Sequence, residues 1–257
     1  MLLVGLSFGI GMLVSLFFAW LFGGEGLRFV YGIVPGIIAT VAVFFLGMRR
    51  VQRELQALSA RVQETLAAGA GNRHAQNQEL AKKKMREAIR ILEGGLRLGP
   101  WAPFVGSQLR GQIGQLYYLM QENKRAVPFL QAAFFRDWVA QGMRGAILFK
   151  EKNYDEMKRV FEKAVKSNKK ESLLWNLYAW CLLESGDRSA AIEVLARAKR
   201  TLPTEERTQR NLEALQKNKG MKMNGWEMMW YQFQLETPQV QPMMKQRIDR
   251  RALYRGR

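Results

Sequence analysis

The sequence predicts an all-α protein: an N-terminal hairpin of two transmembrane helices followed by an α-solenoid of stacked helix pairs. Three observations carry this expectation. Two apolar runs fill the first 48 residues, which hold one acid, Glu25, and one base, Arg28. From there on, apolar residues recur at intervals of three and four, the period of a helix face. Between residues 107 and 205, moreover, the same offsets of small, aromatic and turn residues return about every 34 positions, which marks a repeated unit.

Residues 1–48 are read as the two spans. Residues 1–22 carry no charge, and at about 1.5 Å per helical residue they exceed the roughly 30 Å hydrocarbon thickness of a bilayer. A short turn at 23–28 leads to a second run, 29–48, long enough to return. A cleaved signal peptide is the competing reading, but it calls for a basic leader that the first run lacks. Ser7, Gly11 and Ser15 recur every fourth residue in the first run, as do Gly32, Gly36 and Thr40 in the second. Each helix thus has a narrow face for close approach, either to its partner in the hairpin or to a second copy of the chain. Pro35 is expected to kink the second helix, leaving a backbone carbonyl to be satisfied locally. Arg49, Arg50, Arg53 and Arg61 come directly after it, and such residues favour the cytoplasmic side. Both termini and the domain beyond are therefore expected in the cytoplasm, at a bacterial inner membrane, with Arg49, Arg50 and Arg53 placed to touch anionic lipid.

Val51, Leu55, Leu58, Val62 and Leu66 give residues 49–66 one apolar edge, predicting a juxtamembrane amphipathic helix. Its edge suits a dimer seam, the headgroup layer or the chain's own domain. Residues 67–78 are small, polar and glycine-bearing and are read as a flexible linker, with His74 a solvated member of it.

Residues 79–239 are read as the repeat domain. Its clearest unit is 172–205, where Trp175, Ala179, Gly186, Ala191, Leu195, Ala198 and Pro203 outline a helix, a tight turn, a second helix and a stop. Small residues at Ala179, Ala191 and Ala198 allow two antiparallel helices to pack closely. A second unit, 138–171, repeats the pattern with Gly145, Met157, Phe161 and Ala164, although Lys169 replaces the closing proline. A third, 107–140, shows Ile113, Gly114, Tyr117, Ala126, Leu130 and Ala133, with Pro128 in its second helix. Its overlap with the next unit predicts an irregular connection. Helix 79–97 is expected to cap the array at its start. Residues 206–239 keep Leu212, Leu215, Gly220, Gly225 and Met229 at the repeat spacing but carry Glu213 at a small-residue position, which predicts a degenerate closing cap. Within it, Asn224 through Glu227 look like a helix start, with Trp226, Met229, Trp230 and Phe233 on one face of the ensuing helix; this helix closes the array or docks on a partner or the membrane. Residues 240–257 form a basic tail.

The residues of 107–205 resemble the tetratricopeptide repeat family, and 79–239 do so more loosely. That resemblance implies a concave groove lined by the first helix of each pair, which in the family generally binds a protein or peptide partner. The family's groove positions fall here on Gly111, Gln115 and Tyr118, then Gly142, Ala146 and Phe149, then Asn176, Trp180 and Leu183. The named partner-binding candidates are Gln115, Tyr118, Phe149, Asn176, Trp180 and Leu183. Members that grip a terminal carboxylate use lysine and asparagine at positions occupied here by Gly111, Gln115, Gly142 and Ala146, so an apolar helix or extended segment is the expected ligand.

The leading expectation is therefore a membrane-anchored scaffold that recruits a protein partner, homo-oligomerisation being one possible form of that. The chain has a net charge of +18, all of it arising beyond residue 48, so an alternative is a basic domain that binds anionic lipid or nucleic acid, or an accessory subunit of a transport or secretion complex. No catalytic residues, metal ligands or cofactors are expected. Cys181 lies far in sequence from the single histidine, no glycine loop precedes a helix as phosphate binding requires, and one histidine cannot make a multi-histidine metal site.

Overall fold

The computed structural model describes residues 2–22, 29–69 and 75–237. Their order is α1 (Leu2–Phe22), α2 (Phe29–Ala67), α3 (Ala75–Gly95), a single 3-10 turn (Leu96–Leu98), α4 (Val105–Leu119), α5 (Asn123–Gln131), α6 (Trp138–Lys150), α7 (Tyr154–Ser167), α8 (Ser172–Glu184), α9 (Arg188–Thr201), α10 (Glu206–Gln216), a second 3-10 turn (Asn224–Trp226) and the one-turn α11 (Met228–Tyr231). The described residues contain no strand.

Helices α1 and α2 form an antiparallel hairpin, and each is long and apolar enough to cross a membrane. The six small residues face each other inside it. A methyl group at Gly11 would collide with Thr40, and one at Gly32 with the Ser15 backbone; at Gly36 it would lie 2.8 Å from the Ser15 Cβ. The small faces are thus consumed within the hairpin, while Phe8, Leu13, Trp20, Ile38 and Leu46 point outward.

The expected boundary at residue 49 does not divide the helix, because α2 continues unbroken for 39 residues with Pro35 inside it. Its second half is not a free stalk. Val51 and Val62 are buried, and Leu55, Leu58 and Leu66 pack with them against Ala88, Ile89 and Leu92 of α3. Leu58 sits over Gly95, where an added methyl group would press on its side-chain tip. The apolar edge read as a dimer seam or headgroup contact is therefore covered by the chain's own α3. Of the expected linker 67–78, residues 70–74, including His74, lie outside the described residues, and the helix resumes at Ala75. The second half of α2 and α3 thereby make a helix pair ahead of the repeats.

Each repeat then closes its first helix in the same way. The second residue after the helix adopts a left-handed conformation at Gln121 (φ 64°), Lys152 (58°), Gly186 (92°) and Asn218 (55°). The amides of Glu122, Asn153, Asp187 and Lys219 reach back to the carbonyls of Tyr117, Leu148, Leu182 and Ala214 at 2.8–2.9 Å, giving one recurring helix end. Asn153 and Asp187, at this last position, cap α7 and α9, accepting from the amides of Glu156 and Ala190, while Glu122 starts α5 without a side-chain cap. The equivalent residue after α10 is Lys219, which has no acceptor to offer, and Gly220 comes next. The fourth unit has no second helix, and residues 219–223 are non-helical.

The core of the repeats is continuous from Tyr118 to Phe233. Phe161 of α7 stacks on Tyr178 of α8 at 5.0 Å, and Gly145 leaves the room for its ring. Adjacent units are also joined by ion pairs, Lys158 with Asp187 at 2.9 Å and Glu162 with both terminal guanidinium nitrogens of Arg197. Hydrogen bonding to Arg197 holds the Glu162 carboxyl below its ordinary value of 4.5, with burial opposing. This contribution is complete above that value and is lost as pH falls through it toward the lower folded-state pKa. Melting temperature is therefore expected to drop below about pH 4.5, more shallowly in Glu162→Gln, as circular dichroism of the full chain in detergent would record.

Candidate functional site: the concave groove and its occupant

Helices α4, α6 and α8 present one face each to a shared concave surface, and the chain's own residues 221–236 lie in it. Trp230 and Phe233 are completely buried, and Met223 and Trp226 nearly so. The segment is not the amphipathic helix expected from its aromatic spacing. Glu227 (φ 48°) and Gln234 (φ 50°) are left-handed, which a continuing helix does not allow, and α11 is only four residues long. Met229, expected on the buried face, is half exposed, and Met228 beside it is mostly exposed.

The sequence-derived groove residues can now be placed. Tyr118 is buried and its hydroxyl donates to the Phe233 carbonyl, while the Gln234 side-chain amide donates to the Tyr118 and Leu119 carbonyls. The Lys150 ammonium lies 5.2 Å over the Tyr118 ring. Burial drives the Tyr118 phenol well above, and the Lys150 amine below, their ordinary values. Gly142 forms the floor under Phe233, where a Cβ would meet the ring at 2.8 Å, and Trp138 flanks the same ring. Trp180 meets Trp230 edge-on at 5.3 Å and Phe149 at 5.6 Å, a geometry favoured by the ring quadrupoles. The Trp230 indole N–H donates to the Glu236 carboxylate at 2.8 Å, so its polar edge is satisfied.

Asn176 joins the groove to the segment by a different chemistry. Fully buried, it donates to the Ser172 carbonyl and the Thr208 hydroxyl, each at 2.8 Å, and accepts from Asn211 at 3.0 Å. Asn211 in turn accepts from the Lys222 amide at 2.9 Å and donates to the Lys222 carbonyl at 3.3 Å. Two candidates lie differently. Gln115 donates to Asp137 at 2.9 Å, and Asp137 caps α6, so this pair braces α4 against α6. Burial raises the Asp137 carboxyl against the pull of its hydrogen bonds. Leu183 is half-buried at the edge of the repeat core. Arg49, Arg50 and Arg53 sit apart from the groove, exposed where α2 leaves the hairpin, with Arg50 3.5 Å from Glu54.

Sequence reasoning missed that Trp230 and Phe233 fill the groove while Met223 and Trp226 rest against Asn211 and Arg207 of α10. Lys219 gave little signal of it, since α5 forms without a side-chain cap as well. Chemically the site is a cleft that grips backbone with polar side chains and rings with rings. Cys181 is buried among apolar residues, and burial drives its thiol well above its ordinary value. No group of three His, Cys, Asp or Glu able to hold a metal lies among the described residues.

The family model described as tetratricopeptide repeat matches residues 148–215, from the last turn of α6 through α10. Residues 148–215 carry the tetratricopeptide repeat. The match covers most of the units read at 138–171 and 172–205 and the helix of the degenerate fourth. No curated protein matches the sequence. Tetratricopeptide repeats mediate protein–protein interaction, and the groove described above is formed by the first helices of three of the helix pairs.

Proposed function

We propose that the chain is a membrane-anchored tetratricopeptide scaffold that recruits a protein partner through its concave groove, with residues 221–236 as a built-in occupant that the partner's segment replaces. One observation carries this reading: side chains of the repeats hold the backbone of a non-helical polypeptide, Tyr118 in the groove binding the Phe233 carbonyl and Asn211 of α10 the Lys222 amide. The surface is thus suited to an irregular segment bearing aromatic side chains. Because it is filled in cis, a competitor binds with its affinity reduced by the fraction of time the groove stands open. The two apolar helices and exposed Arg49, Arg50 and Arg53 support anchoring in a bacterial inner membrane with the repeats in the cytoplasm. Tethering then raises the local concentration of whatever is recruited.

Crosslinking in native membranes tests this with three chains: wild type, Trp230→Ala with Phe233→Ala, and the same pair combined with Phe149→Ala and Trp180→Ala. Partner recovery is expected to rise in the second and to disappear in the third. Equal recovery from all three would remove the groove from the account.

A further inference from the structure

The antiparallel order of the helices decides which connections lie near the hairpin. Helix α2 runs away from it beyond Arg49, α3 returns, α4 leaves and α5 returns. Connections 96–104 and 132–137 therefore lie at the hairpin's end of the repeat domain. The contact is direct: the Leu2 amide at the start of α1 donates to the Pro100 carbonyl at 2.9 Å. Leu3 packs against the position of Gly47, so this turn stands level with the last apolar turn before Arg49 and Arg50.

Large aromatic side chains are exposed on this edge. Trp101 is 43% exposed, Phe104 58% and Phe135 51%. The Phe104 ring lies 5.0 Å from that of Phe134, which lies 4.7 Å from that of Phe135, so the two connections share one aromatic cluster. Phe104 is held there at φ 66°, a left-handed conformation that is costly for a bulky residue. The Arg136 guanidinium stands 5.5 Å over Phe135, and Asn168 at the start of the next connection on this edge donates to the Phe135 carbonyl at 3.3 Å. Arg97, Arg136, Lys169 and Lys170 are exposed on this edge. Of the acids near them, Asp137 is taken up in capping α6, Glu171 is half-buried, and Glu54 lies 3.9 Å from Arg97; 96–104 itself contains none. The connections at the opposite ends carry Glu122, Glu151, Lys152 and Asp187.

Resting on the reading of α1 and α2 as membrane spans, we infer that this edge is a bilayer-docking surface: Trp101, Phe104 and Phe135 seat in the headgroup layer, and Arg97 and Arg136 face acidic lipid phosphates. Amphipathic rings settle at that depth, and each basic residue near an anionic surface adds to the attraction. The repeat domain is then held in one orientation to the membrane by α2, by the Leu2–Pro100 hydrogen bond and by this edge, and the groove has a defined direction.

The test uses the full chain in vesicles of phosphatidylethanolamine and phosphatidylglycerol, with one environment-sensitive fluorophore at a time on Trp101→Cys, Phe135→Cys, Phe17→Cys or Lys152→Cys. Cys181, being buried, stays unlabelled. The Trp101 and Phe135 labels are expected to shift to the blue and to lose emission to a nitroxide at headgroup depth. The Phe17 label should respond to a nitroxide deep in the acyl chains, and the Lys152 label, on the opposite edge, to neither. If Phe17 is quenched while Trp101 and Phe135 remain in water, the docking surface is overturned and the anchor stands. A patch made for a soluble protein would give this same result, since the vesicles contain none. If Phe17 is also in water, the anchor itself fails and the docking surface with it.

Discussion

Replacing Trp230 and Phe233 together by alanine is expected to release residues 221–236 from the groove and to be among the most destabilising changes available in the repeat domain. Both side chains are completely buried, and truncating a buried aromatic costs about 3–5 kcal/mol through lost transfer energy and the cavity left behind. The two costs will not simply add, because the rings are neighbours with centroids 6.5 Å apart. The effect also has a ceiling. Once the segment detaches, further loss of its contacts no longer weakens the helices beneath, so the excess appears as local opening. Hydrogen exchange on the full chain in detergent should show protection lost first over 221–236 and next on the faces of α6 and α8. Uniform loss over the whole chain, or none, would mean that the segment is not a separable occupant.

Asn176→Leu is expected to have the second largest effect, for a polar reason. The leucine is close to asparagine in size but strands two buried groups at once, the Thr208 hydroxyl and one N–H of the Asn211 amide. Each buried group left without a partner costs about 1–3 kcal/mol. Because Asn211 holds both the amide and the carbonyl of Lys222, the disturbance should reach the start of the occupying segment. Denaturant titration should show a lowered midpoint, and Lys222 should exchange faster. Adding Thr208→Val to Asn176→Leu should recover part of the loss, since one stranded group is removed while Asn211 keeps its hold on Lys222. A single Asn176→Leu variant as stable as the wild type would contradict the network.

The sequence disclosed the helices and their order more fully than what they touch. The uncharged run marked a long apolar helix, and the small residues of α1 and α2 were legible as faces for close approach. Likewise Gly145, Ala179 and Gly186 marked helix crossings and a turn, since each position tolerates little else. The apolar edge of 49–66 was equally visible, but periodicity reports that an edge is covered and not by what, and α3 lies across a segment rich in small polar residues that reads as a linker. Residues 221–236 were misread for a related reason. Intervals of four and three between Trp226, Trp230 and Phe233 fit one face of a helix, and they also fit an irregular chain that buries each ring in turn. The backbone decides between these at Glu227 and Gln234, whose left-handed conformations no residue type announced. Lys219, standing where Asn153 and Asp187 cap their helices, was a weak warning, because Glu122 at the same place gives α5 no side-chain cap.

The most direct measurement places a photo-crosslinking benzophenone side chain at position 230 of the full chain, in membranes, and maps the crosslinked peptides by mass spectrometry. The account predicts intrachain products joining residue 230 to α6 or α8, near Phe149 and Trp180. Products joining two copies of the chain, or none to these helices, would contradict a groove filled by its own segment.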